Sequence, residues 1–176
     1  MRQLAVAVHS NETPRLREKV ESFLTALSGI CQDVVVLVGG YWGHMKDVVD
    51  NALRLRLKTV VFLPIERENV ELPRGVVFIK TGCEFRCRSV LMIRSADAVV
   101  VLGGGVGTII EAFMAYAMGK PLFILTDTDT YSDRLRDAYP DYFDERKAVR
   151  VVYSKDPVEL ARLVCQVQGG VLTNFG

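Results

Sequence analysis

Short apolar runs alternate with stretches of helical period along almost the whole chain. Leu4–Val8 is an apolar run of strand length. Thr13 then offers an N-cap, with Pro14 at the first helical position. Leu16, Val20, Phe23, Leu24 and Leu27 recur at helical spacing, and Gly29 closes that stretch. Val34–Val38 is a second strand, rich in β-branched residues. A glycine loop, Gly39–Gly43, leads to a helix marked by Met45, Val48, Val49, Ala52 and Leu53. Thr59–Leu63 is a third strand, stopped by Pro64. Residues 65–74 are polar and read as a loop before a fourth strand, Val76–Lys80. Residues 85–95 fit a helix, and Ala98–Leu102 a buried strand. A second glycine loop, Gly103–Gly107, opens a helix with Ile110, Phe113, Met114 and Ala117 on one face. Pro121–Leu125 is a strand. Residues 127–147 are acidic and aromatic, a long stretch with one short helix near Asp133–Ala138. That stretch reads as a lid, an interface or a packed surface loop. Val149–Val152 is a late strand, and Asp156 with Pro157 starts a last helix with Leu160, Leu163 and Val164 inward. The tail Gly169–Gly176 shows no pattern.

Strands that are apolar throughout are buried on both faces, which requires a parallel sheet covered by helices. Strand and helix alternate almost without exception, which predicts an α/β class: a three-layer, doubly wound, mostly parallel sheet of Rossmann-like form, one domain over residues 1–176. Ligands of such sheets bind beyond the carboxyl ends of the strands, where the strand order reverses. Both glycine loops directly follow strands, so both belong on that edge.

Composition narrows this picture without naming a partner. The 176 residues carry 22 basic and 21 acidic side chains, a net charge of +1. That balance calls for neither nucleic acid nor an anionic membrane, although it leaves room for a local anion site. No apolar segment reaches the roughly 18 residues of a membrane span, and the short apolar start is followed at once by polar residues. A cytoplasmic protein is expected. Cys31 and Cys165 stand alone in sequence, and Cys83 and Cys87 form a C-x3-C pair. Buried thiols are the expectation for the first two. The C-x3-C spacing is neither a zinc half-site nor a redox C-x-x-C, leaving thiols or a labile bridge. No metal site is expected.

The second glycine loop, Gly103-Gly104-Gly105-Val106-Gly107-Thr108, has the composition of an anion cradle. Glycines between a buried strand and a helix let backbone amides approach an anion closely, and the helix start adds about half a positive charge. It is not a Walker motif, because no Lys precedes Thr108. The plain alternative is a tight turn that binds nothing. The first loop supplies Gly39, Gly40 and Gly43, with Tyr41 or Trp42 as a stacking surface or as surface aromatics. Met45 follows as a candidate contact. His9 and Ser10, with Asn11, come just after the first strand, where they form a turn or face the cleft. His44 reads as a surface residue at a helix start. Glu111 lies one turn from Thr108, off the apolar stripe. On spacing alone Glu111 is a solvated carboxylate, and Arg88 a surface residue paired with an acid such as Glu84.

The segment Gly103–Glu111 resembles the P-G-G-x-G-T-x-x-E signature of the LOG-like proteins. This family was long labelled as lysine decarboxylases, and its characterised members are cytokinin riboside 5′-monophosphate phosphoribohydrolases. Gly39–Met45 resembles the family's G-G-G-x-x-G-L-M loop, and Arg88 with Asp97 resembles its Arg ahead of an Asp-led strand. The resemblance spans roughly residues 3–125. It implies catalytic roles for Arg88 and Glu111, phosphate held at the second loop, a neighbouring subunit completing the cleft in a homodimer or higher homo-oligomer, and no cofactor. The partner it implies is a phosphorylated small molecule such as a nucleoside monophosphate. Gly103 in place of Pro, Ser89 in place of Lys, His44 in place of Leu and His9 in place of Gly resemble a divergent branch, to which a molybdenum cofactor carrier protein is similar. That branch implies an alternative role, carriage of a phosphorylated ligand without turnover. Decarboxylation would need pyridoxal phosphate and a Schiff-base Lys. None of the seven lysines sits in a motif for that cofactor.

Overall fold

The structure, a computed structural model, describes residues 2–11 and 13–167. The patternless tail falls outside them. Seven strands form one sheet: β1 (Arg2–Val8), β2 (Val34–Val38), β3 (Lys58–Leu63), β4 (Val77–Lys80), β5 (Ala98–Gly103), β6 (Leu122–Leu125) and β7 (Val151–Ser154). Their order is β4-β3-β2-β1-β5-β6-β7, and every neighbouring pair is parallel. Five helices lie between strands, α1 (Pro14–Ile30), α2 (Gly43–Arg54), α3 (Phe85–Ser95), α4 (Val106–Ala117) and α5 (Arg134–Ala138), and α6 (Pro157–Gln166) follows β7. The expected α/β doubly wound fold is therefore present, with an entirely parallel sheet.

The two faces carry separate cores. On one, Leu16, Val20, Phe23, Leu24 and Leu27 of α1 pack with Val48 and Val49 of α2 and Leu160 and Val164 of α6 against the sheet. On the other, Met92 and Ile93 of α3 and Ala112, Ala115 and Tyr116 of α4 meet Leu37, Phe62, Val99, Val101 and Ile124. Each fully buried side chain of Val, Leu or Ile size contributes about 1.5–3 kcal/mol. Strand order reverses between β1 and β5, because the chain winds outward from β1 through β4 and then returns to β1's other side. The crevice above that reversal is where the two glycine loops arrive.

Three details differ from the pattern-based reading. The last strand lies two residues later than expected, and a 3-10 turn occupies Ile65–Arg67 within the predicted loop. The apolar stripe of α4 faces outward. Its buried side is Thr108, Glu111, Ala112, Ala115 and Tyr116, whereas Phe113 and Ala117 are exposed. The helix is apolar on both sides of its axis, so periodicity alone could not say which side meets the sheet. The acidic and aromatic stretch is packed onto α4 and the sheet: Phe143 stacks between Phe113 and Tyr116, at 4.5 and 4.9 Å, and Leu135 is buried.

All four cysteines are paired, which corrects the expectation of lone thiols at Cys31 and Cys165. Docking of α1 on α6 brings their carboxyl ends together, and Cys31–Cys165 bridges residues 134 apart in sequence with Cα atoms 5.5 Å apart. The second bridge, Cys83–Cys87, closes one turn at the start of α3. In the chain-entropy picture the long loop closed by Cys31–Cys165 removes about 5 kcal/mol from the unfolded state. Replacing Cys31 by Ser should lower the thermal midpoint by about 10 °C or more, measured by calorimetry.

Candidate functional site

A cleft of about 420 Å³ opens at the carboxyl ends of the central strands. Its wall includes His9 and Ser10 after β1, Gly39, Trp42 and Met45 around the first glycine loop, Phe85, Arg86, Arg88 and Met92 from α3, and Gly105–Thr108 with Glu111 from α4. Three loops that are distant in sequence meet because β2, β1 and β5 are neighbours.

Arg88 and Glu111 lie at its floor. Both are almost fully buried, 5% and 7% exposed, so neither is the surface residue that spacing alone suggested. Glu84 does not pair with Arg88. It caps α3, accepting from the amides of Arg86 at 2.8 Å and Cys87 at 2.7 Å. The Arg88 guanidinium approaches Glu111 Oε1 to 3.8 Å, and the Ser89 hydroxyl donates to the same oxygen at 2.7 Å. Among the described residues, Arg88 Nε is buried without a hydrogen-bond partner. Burial pulls the Arg88 guanidinium below its ordinary range, opposed by the charge of Glu111. Burial likewise pushes the Glu111 carboxyl up, opposed by Arg88 and the Ser89 hydroxyl. A buried donor left unpaired costs about 1–3 kcal/mol, and an anionic ligand would supply its partner.

The glycines divide their work. A Cβ on Gly39 would overlap the Arg88 guanidinium, so this glycine makes room for the cation. A Cβ on Gly40 would overlap the Trp42 ring. Gly43 has φ +51 and lies against the Ser10 carbonyl, a close approach open only to glycine. Gly40 and Gly43 do not line the cleft. In the second loop, Gly103 (φ +128) is packed beside Thr128 and Leu16. The Gly104 amide, expected to face an anion, donates instead to Thr130 Oγ1 at 2.8 Å and Ser132 Oγ at 3.1 Å. Gly103 and Gly104 thus anchor the loop to the segment after β6. The part of the loop that lines the cleft is Gly105, Val106, Gly107 and Thr108. No side chain caps α4, and its first backbone bond runs from Ile109 N–H to Gly105 C=O, 3.0 Å. The amides before Ile109 have the free orientation of a helix start.

Two basic side chains, an imidazole and a guanidinium, flank this helix start. The His9 ring passes beside Gly105, and Arg86 beside Gly107. Burial, with a smaller contribution from His44, holds His9 below its ordinary range. His44 is fully buried, not at the surface. Its Nε2 accepts from the Thr13 amide at 2.8 Å, which leaves Nδ1 to donate to Asp47 at 2.8 Å. It pins the β1–α1 turn to the first glycine loop, a role a Leu could not fill. Asp97 lies at the opposite edge, bonding the Gln3 amide at 2.8 Å. Sequence reasoning missed Phe85, Arg86 and Met92 as cleft residues. The Arg86–Arg88 spacing at a helix start was the one available signal. No group of three or more metal-ligating side chains occurs among the described residues, and none of their helices is long and apolar enough to cross a membrane.

The model of the SLOG cluster4 family matches residues 10–161, which include every wall of this cleft contributed beyond His9. The chain belongs to that family, within the LOG-like superfamily. Its sequence is 30% identical to the crystal structure of TM1055, at a TM-score of 0.85 over 95% of this chain and 100% of that one. It is also similar to the molybdenum cofactor binding protein of Rippkaea orientalis, with 23% identity and a TM-score of 0.73 over 93% of this chain and 94% of that one. The molybdenum cofactor carrier protein of Chlamydomonas reinhardtii gives 20% identity and a TM-score of 0.74 over 94% and 96%. Likeness at those last two identities shows the fold. No curated protein matches the sequence.

In this SLOG protein Gly39→Ala should displace the Arg88 guanidinium and cost about 1–3 kcal/mol, with loss of anion binding. Gly29→Ala, which meets nothing within 4 Å, is the control and should be neutral or stabilising. Calorimetry with and without inorganic phosphate checks both.

Proposed function

We propose that the cleft binds a nucleoside 5′-monophosphate or a closely similar phosphorylated molecule and hydrolyses its N-glycosidic bond to free base and ribose 5-phosphate. The observation that carries this reading is the buried Arg88 guanidinium with its unpaired Nε, beside Glu111 and facing the open start of α4. The amides of Gly105–Thr108 hold the phosphate, with the helix end and Arg86 adding positive charge. Arg88 presents a rigid fork of donors that orients the sugar phosphate. As the bond to the base lengthens, positive charge grows at C1′, and the Glu111 carboxylate stabilises it and orients the attacking water. The water oxygen bonds to C1′, and the base leaves with the proton.

A second reading is a carrier that binds without turnover. Structural likeness to two molybdenum cofactor proteins across more than nine-tenths of the chain supports it, as does Ser89, which neutralises nothing where a Lys would add charge. The two readings separate in one experiment. Incubation with a nucleotide panel should release ribose 5-phosphate. Glu111→Gln should lower turnover about 10²-fold or more while ligand-induced thermal stabilisation persists, and Arg88→Ala should lose both. Stabilisation without product from the native protein selects the carrier.

The same family reading carries assembly. We infer a homodimer built on α3 and α4. Leu91 is 40% exposed and Val106 71%, and Val90 and Phe113 lie open beside them. Apolar residues on adjoining helices give a self-complementary face of the kind a two-fold interface uses. Light scattering after size exclusion should show a dimer, and Leu91→Arg should yield a folded monomer. A native monomer at all concentrations would overturn the inference.

A further inference from the structure

Arg88, Glu111 and the start of α4 account for one half of the cleft. The other half is aromatic. Trp42 and Phe85 both line it, with ring centroids 6.1 Å apart and planes at 89°, an edge-to-face pair. We propose that Trp42 and Phe85 form a subsite for a planar heteroaromatic ring. The cleft then selects a ring joined to a phosphorylated moiety over a sugar phosphate alone. This rests on the reading above that the α4 end holds the phosphate.

Three observations carry it. Trp42 occupies the N-cap of α2 and makes no capping bond. Ser, Thr, Asp or Asn at that position would stabilise the helix by roughly 1 kcal/mol, so the indole is poorly suited to its place in the helix and is accounted for by what it faces. The chain also clears space for it, since a Cβ on Gly40 would overlap the ring. Its orientation is fixed from outside the cleft, where the Arg67 guanidinium lies 5.7 Å from the ring centroid. Arg67 is not among the cleft residues, so the indole is braced without being covered there.

Position agrees with this assignment. The loops after β2 and β5 flank β1 and stand two strand spacings apart, about 10 Å. Arg88 bridges them, touching Gly39 on one side and Glu111 on the other. Three sites therefore lie in a row: anion amides, the Arg–Glu pair, and the aromatic wall. A nucleotide has its phosphate, sugar and base in the same order, and the bond between sugar and base would fall nearest the pair. Stacking on aromatic side chains tolerates any base or pterin, because each presents a π-face.

The chain contains one tryptophan, so tryptophan-selective fluorescence reads this subsite alone. The probes are AMP, ribose 5-phosphate, inorganic phosphate and adenosine. AMP should quench saturably and bind about tenfold or more tighter than ribose 5-phosphate, which should raise the thermal midpoint without quenching. Trp42→Leu should lower AMP affinity by about the same factor and leave that for ribose 5-phosphate unchanged, with partial rescue by Trp42→Phe. Equal affinity for AMP and ribose 5-phosphate in both native and Trp42→Leu protein would overturn the subsite, as would loss of both ligands in the variant. If no phosphorylated probe binds, the phosphate reading fails. Quenching by adenosine then decides the aromatic subsite independently, and its absence overturns it.

Discussion

The site is organised around a positive charge taken out of water. A guanidinium buried with one nitrogen unpaired is expensive, and the surrounding residues offset that cost only in part. Glu111 lies close enough for attraction but too far for a direct hydrogen bond, and it is itself desolvated. Gly39 yields its side-chain volume, and Glu84 caps the helix so that Arg88 begins on a firm turn. Each of these arrangements makes sense with the cation in place and loses its reason without it. The incomplete pairing is what leaves the cleft able to gain energy from an anion.

Much of the fold was legible in the chain. Continuous β-branched runs announced buried parallel strands, and Pro14, Asp156 and Pro157 marked helix starts that the structure retains. Register and length at the last strand were less secure, because Val149, Val151, Val152 and Tyr153 all suit a strand and the single charge among them, Arg150, does not by itself say on which side pairing begins. The outward stripe of α4 was not legible for a related reason. Its core-facing side is built from Thr, Glu, Ala and Tyr, no more apolar than the opposite side, so hydrophobicity did not single it out.

The candidate site was half legible. Glycines between strand and helix identified the edge, but not what each glycine makes room for. Gly39 and Gly40 answer to Arg88 and Trp42, residues whose positions depend on tertiary packing. Gly104 turned from the cleft because Thr130 and Ser132, far along the chain, reach its amide. Local spacing contains no signal for either. The burial of His44 had the same cause: its partners, Thr13 and Asp47, flank it from two different elements. The cysteine pair Cys31–Cys165 was invisible for want of the helix–helix contact that creates it.

That long-range bridge sits where α1 and α6 end, at the edge of the sheet away from the cleft. Its position separates durability from responsiveness. The cross-link restrains the unfolded chain at one pole of the molecule. The cleft loops at the other pole lie outside that cross-link and are held by hydrogen bonds and other non-covalent contacts alone, apart from the first turn of α3, which has a tether of its own. A protein arranged this way can be hardened against heat without stiffening the part that must recognise a ligand.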